Sequence, residues 1–198
     1  TLRADASSRF AANNRWGYFP SVALGWKISE EDFFKEQDVM TDLKLRLSYG
    51  QTGQQDILND YPYMTTFNVS YPESSYLFGD TWYRTYRPNG YDPDIKWETT
   101  TTYNAGIDFG FLNNRIYGSF DYYQRHTKDL LNTINVIAGT NYAPVLTTNI
   151  GAMDNKGAEF SINFVPVSTK DWNWTVGFNY TWNDSEITKL NMIDSENN

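Results

Sequence analysis

The chain has 198 residues with 16 basic and 24 acidic side chains, a formal net charge of −8 that argues against a nucleic-acid-binding surface. It contains no cysteine and a single histidine, His126, which excludes disulfides, thiolate metal sites and His-rich metal centres and speaks against a histidine-based triad. Aromatic residues make up 17% of the chain while only 40% is hydrophobic, a composition rich in Tyr, Trp, Thr, Asn and Gly that favours strands and turns. No apolar run approaches the roughly 18 residues of a membrane helix. The mean hydropathy of −0.61 is still compatible with membrane strands, which are apolar on one face only. Thr1 to Asp5 shows neither the basic nor the apolar region of a signal peptide, as expected of a mature chain or an internal fragment.

Alternation with period two runs through the chain in order. Residues 1–9 are expected to finish a first strand. Residues 21–28 set Val22, Leu24, Trp26 and Ile28 against Ser21, Ala23, Gly25 and Lys27. Ser29 and Asp32 then suggest a short capped helical turn. Residues 43–50 set Leu43, Leu45, Leu47 and Tyr49 against Lys44, Arg46, Ser48 and Gly50. A long connection follows over 51–94. In 97–111, Trp97, Tyr103, Ala105, Ile107, Phe109 and Phe111 share one face, with Glu98, Asn104, Gly106 and Asp108 opposite. Leu112-Asn113-Asn114 reads as a tight turn into 115–125, where Ile116, Gly118, Phe120 and Tyr122 oppose Ser119, Asp121 and Arg125. A second long connection covers 126–156. Residues 157–164 set Ala158, Phe160, Ile162 and Phe164 against Gly157, Glu159, Ser161 and Asn163. A short turn containing Pro166 leads to 172–183, where Trp172, Trp174, Val176, Phe178, Tyr180 and Trp182 alternate with polar residues or glycine without exception.

These strands imply an all-β, antiparallel fold, either a segment of a transmembrane β-barrel or a soluble β-sandwich. Two patterns exceed ten residues, which suits a tilted strand crossing a bilayer better than the five or six usual in a sandwich. Short turns at one end and long loops at the other match a barrel with periplasmic turns and extracellular loops. Six or seven strands cannot close such a barrel, and an open edge in lipid is costly. The segment is therefore expected to belong to something larger.

The loop from Tyr61 to Tyr91 carries ten aromatics, among them Tyr76, Trp82, Tyr83 and Tyr86. With Arg84 and Arg87 nearby, these could stack on and hydrogen-bond a ligand, or instead supply the small core that a long loop needs. Lys27, Lys44, Arg46, Glu98, Asp108, Asp121 and Glu159 lie on polar faces and would line a barrel lumen or grip a plug. No pair of these acids is spaced to mark a glycosidase couple, so an enzyme is not expected, nor a cofactor or a metal. Trp172, Trp174, Tyr180 and Trp182 read as a girdle at the lipid headgroups. His126 reads as a solvated loop residue. Asp92-Pro93-Asp94 and Asp154-Asn155-Lys156-Gly157 read as turns, the former with a calcium site as its alternative.

Several stretches resemble SusC/RagA-type TonB-dependent outer-membrane transporters of Bacteroidetes. They are Arg3 to Phe10, Asn14 to Ser21, Asp42 to Gly53, Lys96 to Thr100, Leu112 to Ile116, Asp121 to Tyr123, Thr127 to Leu131 and Asn155 to Phe160, in order along nearly the whole chain. The resemblance implies residues 1–198 are part of the C-terminal half of a 22-stranded, plugged barrel, with 51–94 an extracellular loop and the plug domain absent. It further implies import of oligosaccharides or peptides through the outer membrane, with a SusD-like surface lipoprotein and TonB as partners and outer-membrane lipid around the wall. The rival readings are a soluble sandwich that stacks glycans on Trp82 and Tyr83, and a glycoside hydrolase acting through Glu98 or Glu159.

Overall fold

In the computed structural model the described residues are 1–34, 39–57, 60–137 and 143–190. Seven strands form one antiparallel sheet: β1 (Leu2–Ala6), β2 (Trp16–Lys27), β3 (Met40–Gln54), β8 (Glu98–Phe111), β9 (Ile116–Lys128), β12 (Ala152–Ser168) and β13 (Asn173–Lys189), hydrogen-bonded in that spatial order. Each strand pairs with its sequence neighbour within the sheet, so the connections alternate between two ends. Among the described residues, one end carries 28–34, Leu112 to Arg115 and Thr169 to Trp172. The other carries 7–15, 55–57, 60–97, 129–137 and 143–151.

The register joins the alternating patterns into continuous rows. Leu24, Leu47, Ala105, Tyr122, Ala158 and Trp182 are successive cross-strand partners from β2 to β13. So are Trp26, Leu45, Ile107, Phe120, Phe160 and Tyr180, one step along. A slip of one residue in β3, β8, β9, β12 or β13 would throw a charged or amide side chain into these rows, so the apolar face fixes the register. Among the described residues no second sheet covers this face, and Leu24 stays 68% exposed, Phe178 57% and Trp26 50%. A soluble sandwich buries such a face; a barrel wall turns it to lipid. On β8 the span from Tyr103 to Phe111 covers about 27 Å of strand, about 21 Å along the normal at a 40° tilt, close to the apolar band of an outer-membrane barrel.

The turns show local corrections to the sequence reading. Ile28–Glu30 form a single 3₁₀ turn with no side-chain cap, and the Ser29 hydroxyl instead donates to Asp42 at 3.1 Å. The tight turn holds Leu112, Asn113 and Asn114 all at positive φ (53°, 55° and 60°). The Asn113 N–H donates to the Thr41 hydroxyl at 2.9 Å and helps hold this unusual backbone in place. Asp154 to Gly157 are not a turn: they lie inside β12, paired on both sides by β9 and β13. Polar composition suggests a turn there, but two long-range ladders override it. The second long connection shortens to 129–151 and contains a hairpin of β10 (Leu131–Asn135) and β11 (Val145–Asn149); residues 138–142 of it lie outside the described set.

The buried cluster sits at the long-loop end of the sheet. Phe10, Phe19, Ile57, Ile95 and Trp97 form it, with Tyr63 and Leu131 packed against it. Trp97 is therefore buried in this cluster and not exposed like the residues of the greasy face whose spacing it shares. It precedes the first residue of β8, and its ring packs 5.2 Å from Phe10 and edge-on to Phe19 at 5.5 Å. Its indole N–H donates to the Arg15 carbonyl at 3.2 Å. Gly17 and Gly53 make this possible, because a Cβ at either would run into the Phe19 ring.

Candidate functional site

Two regions hold the candidate residues: the polar face of the sheet and the loops above it. On the polar face, Gly25, Arg46, Gly106, Asp121, Glu159 and Thr181 are successive cross-strand partners. Arg46 on β3 forks onto Asp108 of β8, with Nε and Nη2 donating at 2.9 and 2.8 Å. Its Nη2 also reaches Asp121 of β9 at 2.7 Å. To do so the guanidinium crosses β8 at Gly106, where a Cβ would strike both the Asp121 carboxylate and Arg46. One cation thereby ties three strands together by charge-assisted hydrogen bonds.

The other charges expected on this face are placed differently. Lys44 is the register partner of Asp108 but forms no ion pair among the described residues, because Asp108 is engaged by Arg46. Glu159, beside Asp121, is exposed and likewise unpaired there. Lys27 bridges Glu30 at 3.0 Å. Glu98 lies far from the cluster and accepts the Leu131 N–H at 3.0 Å, holding the root of the second long loop. Among the described residues no three His, Cys, Asp or Glu side chains are grouped to hold a metal ion.

The two long loops are cross-linked at their base. The Asn149 side chain accepts the Lys96 N–H at 2.8 Å and donates to the Lys96 carbonyl at 2.9 Å. Thr148 donates to Asp92 at 2.6 Å, and Lys96 pairs with Asp129 at 3.1 Å. Asp92 and Asp94 form the turn their sequence suggests, the Asp94 N–H donating to the Asp92 carboxylate at 2.9 Å. Arg9 gathers the start of the first loop, donating to the Gln55 and Ile57 carbonyls and to Asp56. Phe10, Ile95 and Asn149 fall outside every alternating run, so periodicity gave no signal for them.

Above this base stands a projecting hairpin. β4 (Phe67–Val69) pairs with β7 (Tyr86–Pro88), and β5 (Ser75–Phe78) pairs with β6 (Thr81–Arg84). Gly79, at φ +64°, is the first residue of the two-residue tip, where glycine suits the reversed turn. Tyr76 and Tyr83 are cross-strand partners with rings stacked at 5.9 Å, and Phe78 meets Tyr83 edge-on. Trp82 pairs with Leu77, and Arg84 with Ser75. Tyr86 faces Val69, while Arg87 lays its guanidinium 4.9 Å over Tyr71. Several of these aromatics are exposed: Trp82 is 67% exposed, Tyr86 70% and Phe78 73%. They are not the loop's core, whose buried residues are those around Phe10 and Trp97. Arg87 also lines a cleft of about 410 Å³ with Asp60, Asn68, Asn89 and Thr147, between the hairpin base and β11.

An open antiparallel sheet with a bare apolar face, a hydrogen-bonding polar face and loops massed at one end defines a piece of β-barrel wall. The chain belongs to the TonB dependent receptor-like, beta-barrel family, whose defining pattern matches residues 1–198. It is 54% identical over 190 residues to the TonB-dependent receptor SusC of Bacteroides thetaiotaomicron, covering 96% of this chain and 19% of that protein. It is 35% identical over 196 residues to a TonB-dependent receptor of Formosa agariphila, covering 96% and 18%. The structure of the RagAB peptide importer in its closed-closed state superimposes with a TM-score of 0.80 at 32% identity, over 96% of this chain and 20% of that one. The chain thus spans about a fifth of the length of the relatives it matches. The SusC/RagA resemblance read from the sequence holds, and so does the barrel-segment fold; nothing favours a soluble carbohydrate-binding module.

Proposed function

We propose that this chain supplies wall and outer loops of a TonB-dependent outer-membrane importer of oligosaccharides or peptides. The observation that carries this reading is the sheet itself. Its apolar rows have no protein partner among the described residues, while its polar face holds an ion cluster suited to a water-filled or plugged lumen. In this reading residues 51–94 are an extracellular loop, and the plug and the TonB-contacting segment belong to the rest of the protein. A SusD-like lipoprotein closes over the loops. Tyr76, Trp82, Tyr83, Arg84, Tyr86 and Arg87 form an outward contact surface for the ligand or that lipoprotein. Lys44 and Glu159, unengaged beside the Arg46 cluster, face whatever occupies the lumen. Asp108, Asp121 and Glu98 are each committed to hydrogen bonds within the fold.

The test is fractionation of the native host with an antibody to this segment, followed by uptake. The full-length protein is expected in detergent-extracted outer membrane, co-purifying with a surface lipoprotein, with uptake lost when TonB is removed. Recovery of the segment in the soluble fraction, or uptake indifferent to TonB, would contradict the reading.

A further inference from the structure

Between the base of the projecting hairpin and β11 lies the cleft of about 410 Å³ that Arg87 lines. The two long loops are pressed together there: Gly90, just past β7, packs so closely under the Val145 carbonyl that any Cβ at this position would collide with it. The lining is of two kinds. One is aliphatic and stiff, made of Pro62, Met64, Pro88, Pro144 and Val145. The other is an ordered chain of polar side chains. The Asn68 amide donates to Asn89 Oδ1 at 2.9 Å, and the Asn89 amide donates to the Thr66 hydroxyl at 3.0 Å. This chain fixes the orientation of Asn68 and leaves its Oδ1 without a donor among the described residues. Arg87 is the cross-strand partner of Asn68. Its guanidinium is half-buried, lies over the Tyr71 ring and pairs with no carboxylate among the described residues. Asp60, the acid in the lining, is held elsewhere, by Arg9 at 3.5 Å.

We infer that this cleft binds the C-terminal residue of a peptide, with its carboxylate on Arg87, its N–H on Asn68 and its side chain against the aliphatic wall. The inference deepens the importer reading above and rests on it: of the two substrate classes named there, it selects peptides. Three groups of one terminal residue match three features of the lining. A half-buried guanidinium without a carboxylate of its own is answered by an anion, and its fork suits the two oxygens of a carboxylate. An amide oxygen without a donor takes an N–H. A saturated wall takes an aliphatic side chain and gains from the apolar area removed from water. A neutral oligosaccharide brings no charge to Arg87. A uronic acid brings one, but its ring is edged with hydroxyls and has no aliphatic branch for the wall. Sugar rings stack on aromatic faces; Tyr61 is the one ring in the described lining, while Tyr76 and Trp82 stand outside the cleft on β5 and β6.

The experiment purifies the full-length receptor with its lipoprotein in mild detergent, equilibrates it with an enzymatic casein hydrolysate and measures the retained peptides by mass spectrometry. Parallel arms use the same hydrolysate with its carboxylates amidated, oligogalacturonate, and a neutral gluco-oligosaccharide mixture. Peptides ending in an aliphatic residue are expected on the wild type and on Arg115→Gln, a change at the opposite end of the sheet. Their retention should fall about tenfold on Arg87→Gln, and by a similar factor in the amidated arm, as one charge-assisted fork is lost. Equal retention on Arg87→Gln and Arg115→Gln, or retention indifferent to amidation, overturns the inference. So does retention of oligogalacturonate or of the neutral oligosaccharides without peptide. If Arg87→Gln fails to assemble, a photo-reactive phenylalanine at Met64 in otherwise wild-type receptor decides. An adduct on the C-terminal residue of a peptide supports the site, and an adduct elsewhere along the peptide, or none, contradicts it. A receptor absent from the outer membrane, or uptake indifferent to TonB, would instead overturn the function itself. A correctly placed, TonB-dependent receptor that retains no peptide overturns only this inference.

Discussion

The wall strands and the projecting hairpin at 67–88 are both antiparallel ribbons rich in aromatics, yet they are held by different forces. β8, β9 and β12 are 14, 13 and 17 residues long and paired on both sides, so their backbone groups are satisfied and their register is over-determined. The hairpin consists of ladders three and four residues long, each strand paired on one side only among the described residues. A two-stranded ribbon is marginal alone in water. Its exposed Trp82 and Tyr86 thus contribute little to folding and remain free for contact. The same residue types on the same alternation take different roles, and the difference is what covers them.

Substitutions that separate the two regions sharpen this contrast. The largest effect is expected from Trp97→Ala, which empties the centre of the buried cluster at the loop base and costs about 3–5 kcal/mol. Proteolysis of intact cells should then cut the outer loops while leaving the wall strands protected. Next comes Arg46→Met, which strands two carboxylates on the polar face. A fully buried pair broken this way costs about 3–5 kcal/mol, and partial exposure here reduces that to about 2 kcal/mol. The temperature at which the folded barrel loses its distinct gel mobility should drop, and Asp108→Asn with Asp121→Asn should restore part of it. Gly106→Val acts at the same point by collision rather than by charge and should cost about 1–3 kcal/mol, read by the same mobility shift. The smallest effect on stability is expected in the hairpin. Trp82→Ala should leave the folded barrel within about 0.5 kcal/mol of wild type. It should weaken ligand or lipoprotein binding about fivefold, the loss of one stacking contact worth about 1 kcal/mol. A hairpin variant that destabilised the barrel as much as Trp97→Ala would erase the distinction.

What could be read from the sequence follows the same division. Period-two alternation is local, and it located six wall strands, because in a barrel the faces seen by lipid and lumen are imposed on every residue in turn. It failed where a residue leaves the wall. Trp97 keeps the spacing of the greasy face but stands just before β8, buried against Phe10 and Phe19. Asp154 to Gly157 read as a turn because their composition is polar, but beyond the lipid band a strand has no need of an apolar face. The Arg46 cluster was legible as three separate polar-face charges. That they meet depends on a register between residues 62 and 75 positions apart in the chain, which only the paired strands reveal. Gly106 had no signal of its own; its role is visible only once a guanidinium is seen to cross it. The hairpin's aromatics were legible as a cluster, and their exposure was not, since composition alone does not say whether a loop folds over itself.

The central claim is that one face of this sheet meets lipid and the other meets the lumen. The 198 residues contain no cysteine; single cysteines are placed one at a time from Ala158 to Asn163 in a full-length receptor cleared of any other cysteine and tagged with a fluorophore in native outer membrane. Quenching by a nitroxide dissolved in the acyl chains should alternate, strong at Ala158, Phe160 and Ile162 and weak at Glu159, Ser161 and Asn163. Uniform quenching, or strong quenching at Glu159 and Ser161 instead, would contradict the assignment of the faces and with it the barrel-wall reading.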